Sequence, residues 1–304
     1  MQSDNLAPIV LFVYNRLWHT QQTIEALQNN ELASESELFI YADGAKNEKV
    51  SDQVSEVRSY IKEVDGFKKV TIIEREKNWG LANSIIDGVT QIVNKYGRVI
   101  VLEDDLVTSP FFLGYMNDGL EFYKDEDKVM HISGYIYPID NDKLNDTFFI
   151  KPDTCWGWAT WGRAWKYFKK DTDYYLSIFD KSMIKDFNLN NSYDYFRQIK
   201  QNSKGSINTW AIYWYASIYL QHGLSLHPSR SFVSNIGHDG EGVHCVKTNA
   251  YNVDLIKSYP VFFTNQIKED ILARARVETY FKNSKVPFFV RVVNWINKNV
   301  KKQK

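Results

Sequence analysis

Several kinds of protein are excluded by what this chain of 304 residues has little of. Only two cysteines occur, Cys155 and Cys245. That is too few for a disulfide framework or for a zinc site built from cysteines alone, so two reduced thiols are expected. Glycine (15) and proline (7) are sparse, which argues against long flexible linkers. No apolar stretch reaches the roughly 18–20 residues of a transmembrane helix. The run from Ala7 to Tyr14 is broken by Asn15 and Arg16 and follows an acidic stretch, unlike a signal peptide. A cytoplasmic chain is expected, at most peripheral on the inner face of a membrane. An excess of either charge is also missing. Lysine plus arginine and aspartate plus glutamate both total 37, and a zero balance argues against a nucleic-acid binder.

What is present is core material. At 44% hydrophobic residues and 15% aromatics, disorder is excluded and a large buried core is expected. Strand-like runs stand at 8–14, 37–42, 70–73, 98–102 and 129–132, and helix-like periodicity at 19–30, around Val54, Val57 and Ile61, at 81–95 and at 110–123. Short apolar strands separated by helices imply βαβ units and a mostly parallel sheet, an α/β fold. After Gly134 the character changes. Residues 153–168 hold Trp156, Trp158, Trp161 and Trp165, residues 171–222 read as helical and aromatic-rich, and 224–237 as two short strands. The expected division is a ligand-binding α/β half (1–135), a second half packed on the same sheet (136–250) and a C-terminal helical extension (251–304).

In an open parallel sheet, ligands bind beyond the carboxyl ends of the strands. Here those ends carry Asn15-Arg16, Asp43-Gly44, Asn78-Trp79-Gly80 and, after the fourth strand, Glu103-Asp104-Asp105. Three adjacent carboxylates repel one another unless something cationic sits among them. A hard divalent ion such as Mn²⁺ or Mg²⁺, shared with substrate phosphates, suits that need. An arginine, a base-reading carboxylate and a metal-binding triad together suit a nucleoside diphosphate.

Six segments occur in a telling order: Phe12-Val-Tyr-Asn-Arg16, Tyr41-Ala-Asp-Gly44, Asn78-Trp-Gly-Leu-Ala-Asn83, Val101-Leu-Glu-Asp-Asp105, Cys155-Trp-Gly-Trp158 and Asn235-Ile-Gly-His-Asp-Gly-Glu-Gly-Val-His244. In these the chain resembles GT-A glycosyltransferases, and more narrowly bacterial relatives of N-acetylglucosaminyltransferase I. The resemblance spans roughly residues 7–250. It implies a GT-A fold with an aromatic-rich acceptor-side half, and inverting transfer of a sugar from a nucleotide-sugar donor, UDP-linked by preference. The acceptor would be the hydroxyl of a surface glycan, glycolipid or glycoprotein. It places Tyr14, Asn15 and Arg16 at the nucleotide, Asp43 at the base edge, and Asn78 and Gly80 in the donor pocket. Glu103 and Asp104 would touch ribose or sugar, Asp105 the metal, and His244 the metal or a phosphate. Of the tryptophans, most are expected in the core, with Trp156 or Trp158 as sugar-stacking candidates. The sequence departs from the resemblance at one position. The aspartate that usually follows the tryptophan in Thr209-Trp210-Ala211, the family's catalytic base, is here Ala211. Inversion needs a base within reach of the attacking hydroxyl, and Asp239, Glu241 and Asp153 are the candidates, with Asp239 preferred. Two other readings stay open: a nucleotidyltransferase, which the absence of glycine around Asn15-Arg16-Leu17 counts against, and a non-catalytic nucleotide-sugar-binding protein, suggested by Ala211.

The zero net charge hides two unlike parts. Residues 285–304 hold six cations and no acid, which leaves residues 1–284 with 31 cations against 37 acids. Phe289, Val292, Val293, Ile296 and Val300 recur there at helical spacing. Such a basic amphipathic segment suits an anionic membrane interface, and equally a helix docked on the body with a frayed lysine end. If it binds membrane, deleting 286–304 lowers co-sedimentation with anionic vesicles; equal binding by both forms discards the idea.

Overall fold

The computed structural model describes residues 6–240 and 248–284. Glu241, His244, Cys245 and the 285–304 tail lie outside them. The chain opens as the periodicity predicts. Strand β1 (Ile9–Val13) is buried along its whole length, and β2 (Glu37–Ala42), β3 (Lys69–Glu74) and β4 (Arg98–Glu103) follow. Pairing is parallel in the order β3-β2-β1-β4, with β1 in the middle, which is why its five residues are all apolar.

Side chains alternate across the pleat. Ile9, Leu11 and Val13 face a layer containing α1 (Leu17–Gln28), α2 (Ser51–Ile61) and α4 (Phe112–Phe122), through Ile24, Leu27, Val57, Ile61 and Phe112. Val10 and Phe12 face α3 (Leu81–Tyr96) through Ile85, Val89 and Ile92.

The second half departs from a mostly parallel sheet. Strand β6 (Val129–Ser133) does not pair with β4, because β8 (Trp158–Trp161) inserts between them, antiparallel to both. Beyond β6 lie β9 (Leu224–Pro228), parallel to it, and β7 (Thr147–Ile150), antiparallel at the edge. The sheet of the described residues therefore runs β3-β2-β1-β4-β8-β6-β9-β7, with strands from both sides of residue 135. A separate two-stranded ribbon pairs β5 (Leu106–Thr108) with β10 (Val233–Asn235).

Helices α5 (Gly162–Trp165), α6 (Thr172–Ile178), α7 (Lys181–Phe187), α8 (Phe196–Ser203) and α9 (Ala211–Leu220) bear out the helical, aromatic-rich reading of 171–222. Helix α9 is apolar all round and accordingly buried. The expected helical extension from 251 is corrected in its described part: among residues 251–284 only α10 (Ile271–Asn283) is helical. Before it the chain runs as a strap held by backbone carbonyls, with Tyr123 Oη donating to Thr264 O (2.8 Å) and Thr147 Oγ1 to Phe262 O (2.9 Å).

Trp158 is corrected from donor-binding candidate to core residue. Its ring is fully buried, 5.2 Å from Trp210 and 5.3 Å from His131. Trp158→Ala should therefore lower the unfolding free energy by about 3–5 kcal/mol, the usual range for a buried tryptophan. Chemical denaturation measures this, and a loss below about 1 kcal/mol would contradict the assignment.

Candidate active site

The carboxyl ends of β1 to β4 meet on one edge of the sheet, where the polar segments gather as expected. Strand β4 delivers Glu103, Asp104 and Asp105 side by side. Burial pushes the Glu103 carboxyl well above its ordinary range, with the charges of Asp105 and Asp104 adding to it. The Asp104 carboxyl is pushed up to about 7, first by burial and then by Asp105, while Arg16 pulls the other way. The cluster holds more negative charge than its surroundings neutralise.

One cation answers it directly. Arg16, the residue capping the N-terminus of α1, places Nη1 3.0 Å from Asp105 Oδ2. Its Nε and Nη2 are buried and make no hydrogen bond among the described residues, with Nη2 3.6 Å from Asp239 Oδ1. Asp239 in turn meets buried His19, with Oδ2 2.8 Å from Nε2. Arg16 and His19 stand one helical turn apart on α1, so one helix end holds both Asp105 and Asp239. The sequence reading missed His19; the arginine-to-histidine spacing of three at a helix start is the signal that points to it.

The ribbon brings Asp239 here. Pairing of Asn235 with Leu106 aligns the two chains, and Ile236 N donates to Asp105 O (2.9 Å). Gly237 then passes directly over the acid. A Cβ on Gly237 would stand 2.0 Å from Asp105 Oδ2 and 2.7 Å from its Cγ, so only glycine fits without moving the carboxylate.

A second cluster centres on Asp43. Its Oδ1 accepts from Gly44 N (2.9 Å) and Trp79 N (2.8 Å), and its Oδ2 from Gly80 N (2.8 Å) and Asn78 Nδ2 (3.0 Å). A carboxylate offers about four lone-pair sites, and these four donors occupy them. Asp43 therefore holds the 78–80 turn, including Gly80 at φ 73°, and ties together the three residues expected at the donor, Asp43, Asn78 and Gly80. Trp79, fixed by this turn, carries the Arg75 guanidinium 3.9 Å over its ring.

The remaining expected residues are less tightly drawn together. Tyr14 Oη accepts from Lys46 N (3.1 Å), and Asn15 Nδ2 donates to exposed Gln53 (3.1 Å). Asp153 lies on the segment entering β8, with its carboxyl pushed up to about 8 by burial. Among the described residues no three or more His, Cys, Asp or Glu side chains group as a metal cage.

Residues 9–188, more than half of the chain, match the family model for glycosyl transferase family 2. No curated protein matches the sequence. Among solved structures, similarity extends to TarS of S. aureus, at 15% identity and a TM-score of 0.29 over 41% of this chain. The chain spans only 21% of the length of TarS. It extends also to the mannosyltransferase PcManGT from Pyrobaculum calidifontis, solved in complex with GDP-Man and Mn²⁺, at 9% identity and a TM-score of 0.40. There the match covers 72% of this chain and 70% of the other. The narrower likeness to N-acetylglucosaminyltransferase I rests on the six short motifs alone. By the extent of its family match, this protein belongs to glycosyl transferase family 2 and is a sugar-transferring enzyme of GT-A fold.

Proposed function

We propose that the protein moves a sugar from a nucleoside diphosphate sugar, UDP-linked by preference, to an acceptor hydroxyl by a single inverting displacement, with Mn²⁺ or Mg²⁺ at the diphosphate. The observation that carries this reading is the pair of buried, unbonded nitrogens of Arg16 beside an over-negative carboxylate cluster. A group that brings a divalent cation and phosphate oxygens together satisfies both at once. The N-terminus of α1 adds its positive dipole end to the same spot. Asp105 is the proposed ligand, with Asp104 beside it and His244, outside the described residues, as the further candidate. Bound there, the metal would neutralise charge developing on the diphosphate leaving group.

Arg16 keeps Asp105 aimed and offers its remaining donors to phosphate. A polar cavity of about 620 Å³ opens beside the Asn235–Asp239 segment, lined in part by His238, Asn249, Asn252 and Asp254. Amide and carboxylate groups of this kind pair with sugar hydroxyls, which suits a carbohydrate acceptor. A glycan, glycolipid or glycoprotein of bacterial surface polysaccharide synthesis is the proposed acceptor class. The tail would bring the enzyme to an anionic inner membrane face. Among the described residues no helix is long and apolar enough to cross a membrane.

Titration calorimetry with UDP, GDP and CMP, with and without Mn²⁺, tests the donor site. Metal-dependent UDP binding is expected, and Asp105→Ala should weaken it about 10-fold or more, as expected when a charge-assisted contact is lost. Metal-independent binding unaffected by Asp105→Ala would sink the proposal. Donor turnover separates the alternatives: a nucleotidyltransferase releases pyrophosphate, and a binding protein releases nothing. Gly237→Ala should cost about 10²-fold in turnover by displacing the Asp105 carboxylate, with the melting temperature nearly unchanged.

A further inference from the structure

An inverting displacement needs a group that takes the proton of the attacking hydroxyl. Position 211, where the resemblance leads one to look for it, is an alanine at the start of α9. Asp239 is engaged by His19 at 2.8 Å and faces Arg16 at 3.6 Å, so its two carboxylate oxygens already face partners on α1 and its cap. Its role is to tie the Gly237 segment to α1.

We infer that Asp153 is the catalytic base, an assignment that rests on the sugar-transfer reading above. Its Oδ2 is buried and makes no hydrogen bond among the described residues, an uncommon state for a carboxylate oxygen that asks for a ligand. Its backbone is held firmly on both sides. Trp214 Nε1 donates to His131 Nδ1 (3.1 Å), which leaves the His131 proton on Nε2, facing Thr154 O (3.1 Å) and Ser133 Oγ (3.0 Å). Thr154 N donates to Ser133 Oγ (3.3 Å) and Thr154 Oγ1 to Tyr135 O (3.3 Å). On the other side His227 Nε2 lies 2.9 Å from Pro152 O. These contacts hold Asp153 at the carboxyl end of β6, on the same sheet edge as the carboxyl end of β4 and separated from it by β8.

Electrostatics place Asp153 in the same neighbourhood as the metal triad. The Cys155 thiol is pushed up by burial and then by the negative charges of Glu103, Asp153 and Asp105 together. The phenols of Tyr195, just before α8, and Tyr215 on α9 also feel the charge of Asp153. Burial dominates, and a carboxyl titrating near 8 matches a base working close to neutral pH.

In the step, the acceptor O–H proton passes to the Asp153 carboxylate as the acceptor oxygen bonds to the anomeric carbon. The bond from that carbon to the diphosphate oxygen breaks, and the nucleoside diphosphate leaves with the electron pair.

The test uses the full chain with Mn²⁺ and UDP-glucose, UDP-N-acetylglucosamine and GDP-mannose, reading nucleotide release with water as acceptor, and UDP binding by calorimetry. Asp153→Asn should keep the UDP dissociation constant within about twofold and lose about 10²-fold or more in turnover. Asp153→Glu should recover part of that loss, and added formate should raise turnover in Asp153→Ala. Wild-type turnover should rise with pH and level off above about 8, and that acid limb should be absent from Asp153→Asn. Turnover of Asp153→Asn within about threefold of wild type overturns the assignment while leaving sugar transfer intact. UDP binding lost in parallel with turnover also overturns it, since the residue would then be structural. A wild type that releases nucleotide from none of the three donors overturns the transfer reading itself.

Discussion

The mutual repulsion of Glu103, Asp104 and Asp105 is the constraint around which this end of the molecule is arranged. Carboxylates crowded at the mouth of a buried strand are tolerable only where the surroundings supply positive charge. The fold supplies one guanidinium from the cap of α1, and Arg16 meets Asp105 at 3.0 Å. It supplies no second cation in contact with Glu103 or Asp104 among the described residues, and burial, then the charge of Asp105, drives both carboxyls up. An incomplete neutralisation of this kind weakens a structural site and suits a binding site, because the substrate complex completes it.

Much of the architecture that presents this cluster was legible from residue pattern. Strands β1, β2 and β4 are short apolar runs because both faces are covered, and a run with no polar position leaves little else for the chain to be. The periodicity of α3 locates a helix for the same reason, through Ile85, Val89 and Ile92. Pairing order is not carried by such a pattern. The segment Trp158-Ala-Thr-Trp161 announces burial but not direction, and its insertion between β4 and β6 depends on contacts far apart in sequence, such as Ala159 opposite both Ile100 and Ile132. Residues 251–270 carry no periodicity that distinguishes a strap from a helix, since carbonyl acceptors such as Thr264 O hold them to the body.

Site residues were legible as positions more than as roles. Asp43 stands where a ligand-facing acid belongs, yet the turn at 78–80 folds back and fills all of its acceptor sites. No single-sequence pattern predicts that, because it depends on how closely the β2 and β3 ends approach. Gly237 was visible as part of a glycine-flanked loop, but its steric reason, an Asp105 oxygen where a Cβ would stand, belongs to the folded chain. His19 could have been inferred from its spacing to Arg16, and its partner Asp239 lies 220 residues away.

Four aspartates around one sheet edge thus share a side chain and differ in chemistry, and environment alone separates them. Asp43 is saturated by neutral N–H donors and acts as a rigid fastener. Asp105 meets one arginine at 3.0 Å and stands beside two further carboxyls. Asp239 faces a histidine and an arginine on one helix end, which suits it to hold a loop. Asp153 is buried, which raises its proton affinity, and its Oδ2 makes no hydrogen bond among the described residues. Identical side chains thus meet different surroundings on one sheet edge: one carboxylate is met by a guanidinium, one by four N–H donors, and one by burial alone.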